Sequence, residues 1–253
     1  MKILPNYKLT EKEYIDMRCN PFASGTEGVI CEWNQNSVVK FFSEVYNNVT
    51  QEQIEAIREN KLRKLIALYK KNLKNQILPI ATVSKNGQFI GYVMTKGIGT
   101  TGLQALQFDW ETQLQLLRKS KELLMDFHEQ GIINGDVRLS NILFDRTTGN
   151  AAFCDLDNMQ VDGYLADLVP TIVKNYQKLR GVPIQPYDQT VDIALHNTVM
   201  LQLFCNTASI SPELLERKPI DEYLNEEGKQ ILIDYKHPKQ KIKQGYLCDY
   251  LIK

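Results

Sequence analysis

Hydrophobic periodicity changes character once along this chain, and that change restricts its folds more than any composition figure. Between residues 21 and 94 apolar side chains recur at strand spacing in GVICEW, SVVKFF, ILPIATVS and FIGYVM, with turns at Asn34-Gln35-Asn36 and Lys85-Asn86-Gly87. One helix interrupts these strands: over residues 50–72, Ile54, Ile57, Leu62, Leu65, Ile66 and Tyr69 recur near helical spacing, with Thr50 placed to cap. From Asp109 onward helices prevail. DWETQLQLLRKSKELLMDFHEQG sets Trp110, Leu114, Leu117, Leu124 and Phe127 on one face and stops at Gly131. A short hairpin follows, NILFD and AAFCDLD about the turn RTTGN, then a mixed loop over residues 158–187. The helix VDIALHNTVMLQLFC is apolar on nearly every side, as a buried helix is, and Ser211-Pro212 opens a further one. Strands followed by helices make an α+β arrangement, with the change inside KGIGTTGLQAL, around residues 97–102.

Composition narrows the class. The chain has 253 residues, 43% of them hydrophobic, which suits one large core or two small ones. Thirty Lys and Arg stand against thirty Asp and Glu, so no bulk basic footprint for nucleic acid is present. The tail KHPKQKIKQGYLCDYLIK is the local exception, and it reads first as a solvated face and second as a contact for nucleic acid or an acidic partner. Cys19, Cys31, Cys154, Cys205 and Cys248 are scattered without CxxC spacing and read as reduced thiols. His128, His196 and His237 do not join them at metal spacing, so no zinc site is expected, and His128 reads as a helix-end residue stabilised by the dipole. No apolar run approaches the roughly 18 residues of a membrane span, nor is there a signal-peptide core. The expectation is a cytoplasmic protein without a membrane partner, in its own cell or in a host cytosol if secreted.

Chemistry concentrates in GIINGDVRLSNILFD, residues 131–145, and FCDLD, residues 153–157. An Asp and an Asn on one loop, Asp136 and Asn141, followed across a hairpin by Asp155 and Asp157, collect hard oxygen donors of the kind Mg²⁺ and its phosphate ligands require. Asp136 suits a group that accepts a proton from, or orients, an attacking hydroxyl.

These residues resemble the protein-kinase superfamily. NGDVRLSN at 134–141 is similar to the catalytic loop written HRDLKPEN in eukaryotic-like kinases and HGD-x-x-x-x-N in atypical and small-molecule kinases. The resemblance implies Asp136 as catalytic aspartate, Arg138 in place of a phosphate-contacting lysine, Asn141 as a metal ligand, and Asp155 at the metal-binding aspartate of DFG, with Asp157 a second ligand or a turn former. Upstream, Ala23-Ser24-Gly25-Thr26-Glu27-Gly28-Val29-Ile30 resembles a phosphate loop lacking its first glycine, with Gly25 and Gly28 admitting the nucleotide. Lys40 stands where the lysine of VAIK is expected. Its partner is sought among Glu52, Glu55 and Glu59, with Glu59 favoured and Glu55 next. Met94 looks like the residue behind the adenine, Thr95-Lys96-Gly97 like the hinge, and Asp192 like the aspartate that anchors the catalytic loop from below.

The fold so implied is α+β and bilobal: one kinase-like domain over 1–253, with a small β-rich N-lobe with one helix at 1–96 and a larger, abridged helical C-lobe at 97–253. The implied activity is ATP- and Mg²⁺-dependent phosphoryl transfer, foremost by a Ser/Thr protein kinase or autokinase acting on a protein substrate. The alternatives are a small-molecule phosphotransferase of the aminoglycoside or choline kinase kind and an ATP-binding pseudokinase acting as an interaction module. Departures from the pattern are plain. Asn134-Gly135 replaces His-Arg, which argues against activation through a phosphorylated loop. Leu156-Asp157 replaces Phe-Gly, no APE precedes Asp192, and residues 158–190 offer Thr171 and Thr190 as phosphosites besides tyrosines.

Overall fold

The computed structural model describes residues 3–25, 27–43, 49–71, 73, 76–166, 169–209, 220–236 and 245–252. It combines a six-stranded sheet with helices and divides into two compact units, Met1–Gly97 and Ile98–Lys253.

In the first unit, β1 (Asn6–Leu9) and α1 (Glu11–Arg18) precede β2 (Pro21–Gly25), β3 (Gly28–Asn34) and β4 (Ser37–Phe42); α2 (Gln51–Lys70) then leads to β5 (Pro79–Lys85) and β6 (Gln88–Thr95). The strand order is β1-β5-β6-β4-β3-β2, antiparallel except for β1 alongside β5. β1 and α1 were not among the expected elements. The signal for α1 was local: Thr10 and Glu13 form a reciprocal capping box at its start. Thr50 and Gln53 do the same for α2.

Alternation along β4 sorts the unit into two layers around the sheet. Val39 and Phe41 join Cys31, Ala81, Val83, Ile90 and Val93 in a core closed by Tyr14 of α1, whose ring meets Phe41 edge-on. Val38, Lys40 and Phe42 point to the opposite face, where Lys61 of α2 lies over the Phe42 ring at 5.3 Å. β4 is buried along its whole length. Lys40 is therefore an interior lysine, which alternation alone did not decide.

The second unit opens with β7 (Thr100–Thr101) and α3 (Trp110–Glu129), followed by β8 (Ile132–Ile133), β9 (Ile142–Asp145), β10 (Asn150–Phe153) and β11 (Gln160–Val161); the helices α4 (Thr171–Arg180), α5 (Gln189–Cys205) and α6 (Glu226–Lys236) follow. β9 pairs with both β10 and β7, and β8 pairs with β11. The stretch 158–187, expected to be mixed loop, contains β11 and α4; Gly181 in the left-handed region closes α4. The helix expected at Ser211-Pro212 lies outside the described residues, as does His237.

Helix α5 is the buried centre of this unit, apolar all round as its sequence requires, with Val191, Val199, Met200, Leu201 and Leu203 almost wholly enclosed. Residues 245–252, the end of the tail, pack on it, while the basic run at 237–244, expected as a solvated face, lies outside the described residues. Asn197 of α5 clamps the segment, its amide donating to the Gly245 carbonyl at 3.0 Å and accepting from the Leu247 N–H at 2.8 Å. Beside it the buried His196 donates from Nε2 to the Leu117 carbonyl at 3.0 Å and meets the Tyr246 ring edge-on. Among the described residues no helix is long and apolar enough to cross a membrane.

Two predictions follow from this packing. A Cβ on Gly28, whose φ is +155°, would sit 2.0 Å from the Phe41 carbonyl oxygen, whereas one on Gly25 meets nothing within 4 Å. Gly28→Ala should cost about 1–3 kcal/mol in urea unfolding while Gly25→Ala stays within about 0.5 kcal/mol. Burial holds the His196 imidazole down to about 4, against an ordinary 6.5. The unfolded chain therefore takes up this proton near pH 6.5 and the folded chain only near pH 4, so the stability from neutral His196 is complete above that window and is lost as pH falls through it. The loss is on the order of 3 kcal/mol, and His196→Asn should flatten that part of the stability-against-pH curve.

Candidate functional site

The loop joining β8 to β9 carries Asn134, Asp136, Arg138 and Asn141, and one carboxylate beneath it holds its start. Asp192 of α5, fully buried, accepts the Gly135 N–H at 2.7 Å on Oδ1 and the Asn134 N–H at 2.9 Å on Oδ2. Nε2 of His128 lies 2.9 Å from the same Oδ2. The anchoring expected of Asp192 is thus present in the geometry. Its second reading, as N-cap of the apolar helix, is not: Asp188 caps α5, accepting the Thr190 N–H at 3.0 Å, and Asp192 stands one turn further in. His128 serves the same anchor rather than the end of α3, because its ring reaches a buried carboxylate that needs donors.

Gly135 is required at its place. Its φ is +71°, and a Cβ there would lie 2.5 Å from the Tyr187 ring. Tyr187 is buried, which pushes its phenol up to about 12, and the Gln160 side chain fixes its backbone by donating to the Tyr187 carbonyl at 2.9 Å and accepting its N–H at 2.7 Å. Gly135 is thus the residue that admits this aromatic floor.

Above the floor, Asp136 receives a fixed set of donors. Its N–H donates to Asn134 Oδ1 at 3.1 Å, forming a tight local turn. Its Oδ2 accepts Asn141 Nδ2 at 2.8 Å and the Arg138 guanidinium. Nδ2 of Asn141 also reaches the Asp136 carbonyl at 3.2 Å, which turns its Oδ1 the other way, toward the Ser140 hydroxyl at 3.1 Å.

The β9–β10 hairpin brings the second acidic group alongside. Ile142 pairs with Phe153, and the Cys154 N–H donates to the Asn141 carbonyl at 3.0 Å, so Asp155 follows directly on the residue bonded to Asn141. Asp155 adopts the left-handed conformation, φ 65° and ψ 45°, unusual for a residue with a side chain and a mark of local strain. It turns the chain into a short 3-10 turn that buries Asp157 completely. Backbone pairing at one end of this hairpin therefore sets the Asp155–Asp157 turn next in line to Asn141, while Asp136, Arg138 and Asn141 are the residues joined by side-chain hydrogen bonds. The donor set is amide and carboxylate oxygen without nitrogen or sulfur ligands, which fits a hard divalent cation such as Mg²⁺.

The first unit holds the remaining candidates, and its arrangement departs from expectation at the lysine partner. Glu59 is largely exposed and pairs with Arg63 on its own helix, and Glu55 is exposed and accepts from Gln51 at 3.3 Å. Glu52 is exposed as well. Separation along the chain suggested Glu59, but rotation about the helix overrides separation. The buried residues of α2 are Ile54, Lys61, Lys64, Leu65, Ala67 and Leu68, and Glu59, two places from Lys61, points elsewhere. A carboxylate beside Lys40 belongs to Glu27, in the turn between β2 and β3, with its Oε2 3.7 Å from Lys40 Nζ and 3.0 Å from Lys61 Nζ.

Neither Glu27 nor Lys61 was singled out from sequence. The signal for Lys61 was present, since it lies seven residues after Ile54 and four before Leu65, on the apolar stripe itself. In the expected hinge, Met94 is buried opposite Val38 and Thr95 is exposed. The Lys96 N–H is committed to the Asn36 carbonyl at 2.9 Å, and its ammonium to Glu32 at 3.0 Å. Lys96 therefore does not present a ready N–H to a base.

Asp192→Ala would strand the Asn134 and Gly135 N–H groups in the interior. A loss of about 3–5 kcal/mol is expected in urea unfolding, well above the cost of truncating an exposed aspartate such as Asp221, which should change stability by about 0.5 kcal/mol or less.

No family model matches this chain and no curated protein is significantly similar to it, so the reading of this loop rests on its own residues and geometry.

Proposed function

We propose that the chain is an ATP- and Mg²⁺-dependent phosphotransferase, foremost a Ser/Thr protein kinase or autokinase, whose two compact units are the small and large lobes of a bilobal kinase-like fold. One observation carries this reading: the Asp136–Asn141 hydrogen bond on a loop hung from the buried Asp192, with Asp155 turned alongside by a left-handed backbone. Phosphoryl transfer demands little covalent chemistry from a protein and much positioning, and this loop is rigidly positioned for its length.

In this reading Asp136 orients the acceptor hydroxyl and takes up its proton as the oxygen attacks phosphorus. Asn141 holds the Asp136 carboxylate in one orientation, which fixes the direction of approach. Arg138, mostly exposed and bonded to Asp136, offers its remaining guanidinium donors to the transferred phosphoryl oxygens. Asn141, Asp155 and Asp157 are the residues that would hold Mg²⁺, which supplies neutralisation of phosphate charge. Lys40 is the cation assigned to the nucleotide phosphates.

With Mg²⁺ and γ-labelled ATP, label is expected on the chain itself or on a generic basic protein substrate. Asp136→Asn should lower the initial rate by about 100-fold or more, and chelation of Mg²⁺ should abolish it. Equal labelling by wild type and Asp136→Asn would falsify the proposal. ATP binding without transfer to any acceptor would move the chain to the pseudokinase class, and turnover stimulated only by small alcohols or aminoglycosides would make it a small-molecule kinase.

A further inference from the structure

We infer that Glu27, carried by the β2–β3 turn, is the positioning residue for Lys40, and that Lys61 of α2 holds Glu27 in place for that task. This rests on the phosphotransferase reading and deepens it, because it names the group that aims the phosphate-binding lysine.

The backbone of Glu27 is secured on both sides. The strand register closes at Gly25 opposite Gly28, the Ser43 N–H donates to the Glu27 carbonyl at 2.8 Å, and Gly28 is pressed against the Phe41 carbonyl. The last two of these contacts are made by β4 and the residue after it, the strand that bears Lys40 itself. A side chain leaving so fixed a point has a short and defined reach.

A single oxygen, Oε2, takes both ammonium groups, Lys61 at 3.0 Å and Lys40 at 3.7 Å. The nearer and more buried partner is Lys61, whose side chain is 1% exposed and whose ammonium lies over the Phe42 ring. Lys61 thus sets where the carboxylate sits, and Lys40 follows it. The chemistry asks for such an arrangement. A lysine is a point charge on a flexible four-carbon stem, so in a desolvated site it is aimed only by a fixed partner of opposite charge. Helix α2 turns a lysine rather than a glutamate toward Lys40, and the carboxylate therefore has to come from another element. The turn supplies it.

The test reads binding as well as transfer. Isothermal titration with AMP-PNP and Mg²⁺ gives Kd, label transfer gives KM and kcat, and the ¹⁵N-lysine ammonium spectrum reports on Lys40 without nucleotide. Glu27→Gln should weaken AMP-PNP about tenfold, raise KM for ATP in proportion and shift the Lys40 ammonium resonance. Adding Lys61→Glu to that variant returns a carboxylate from the helix side and should restore affinity to within about threefold of wild type. A purely structural role would not be rescued by moving the charge to another element. If Glu27→Gln does not fold, Glu27→Asp keeps the charge with a shorter reach and should raise KM while leaving kcat near wild type.

Wild-type affinity in Glu27→Gln overturns the inference, as does an unchanged KM in Glu27→Asp. So does a folded double variant as weak as Glu27→Gln. In each of these outcomes wild type still binds and transfers, so the phosphotransferase reading stands. A wild-type chain that neither binds AMP-PNP nor transfers phosphate overturns that reading and this inference together.

Discussion

The buried carboxylate of Asp192 is the constraint on which the second unit depends. A carboxylate buried in the interior must be surrounded by donors, and here two backbone N–H groups and one imidazole meet it. Helix α5 brings the carboxylate to the centre of the unit, and the loop at 134–141 has to come to it. Once Asn134 and Gly135 are so tied, Asp136 has little freedom left, and Asn141 removes most of the remainder. The same tie explains why position 135 is glycine, since the chain passes over the Tyr187 ring with no room for a Cβ.

The first unit solves a related problem by different means. β4 is buried on both faces, and its alternation puts an apolar row toward α1 and a row containing Lys40 toward α2. An interior lysine is tolerable only with a carboxylate at hand, and Glu27 provides one from a turn braced against β4. The sheet therefore carries both the charge and the support for its partner, while the helix contributes a second lysine to the same oxygen.

Much of this was legible from residues alone because it is written in local pattern. The strands β3 to β6, the helices α2, α3 and α5, the hairpin at 142–153 and the boundary near residue 97 all follow from periodicity and turn chemistry. The pair Asp136 and Asn141 was legible because both sit on one short loop, where spacing nearly determines geometry. What sequence reading missed was less plainly marked. α1 is a short helix whose capping box speaks more clearly than its apolar face, α4 is a ten-residue helix that starts without a side-chain cap, and β1 is a strand largely exposed to solvent. The lysine partner was misassigned because a count along the helix says nothing of rotation about it, and Glu59 and Lys61 differ by two places and point in different directions.

The sequence by itself determined the α+β order of elements, the place where strands give way to helices, and the nearness of Asp136 to Asn141, since each depends on neighbours within a few residues. Only tertiary structure decided that Glu27 rather than a helix glutamate stands beside Lys40, that His128 serves Asp192, and that the segment 245–252 packs on α5. Those pairings join residues far apart in the chain, and each is selected by the need of a buried polar group for a partner wherever the fold can bring one.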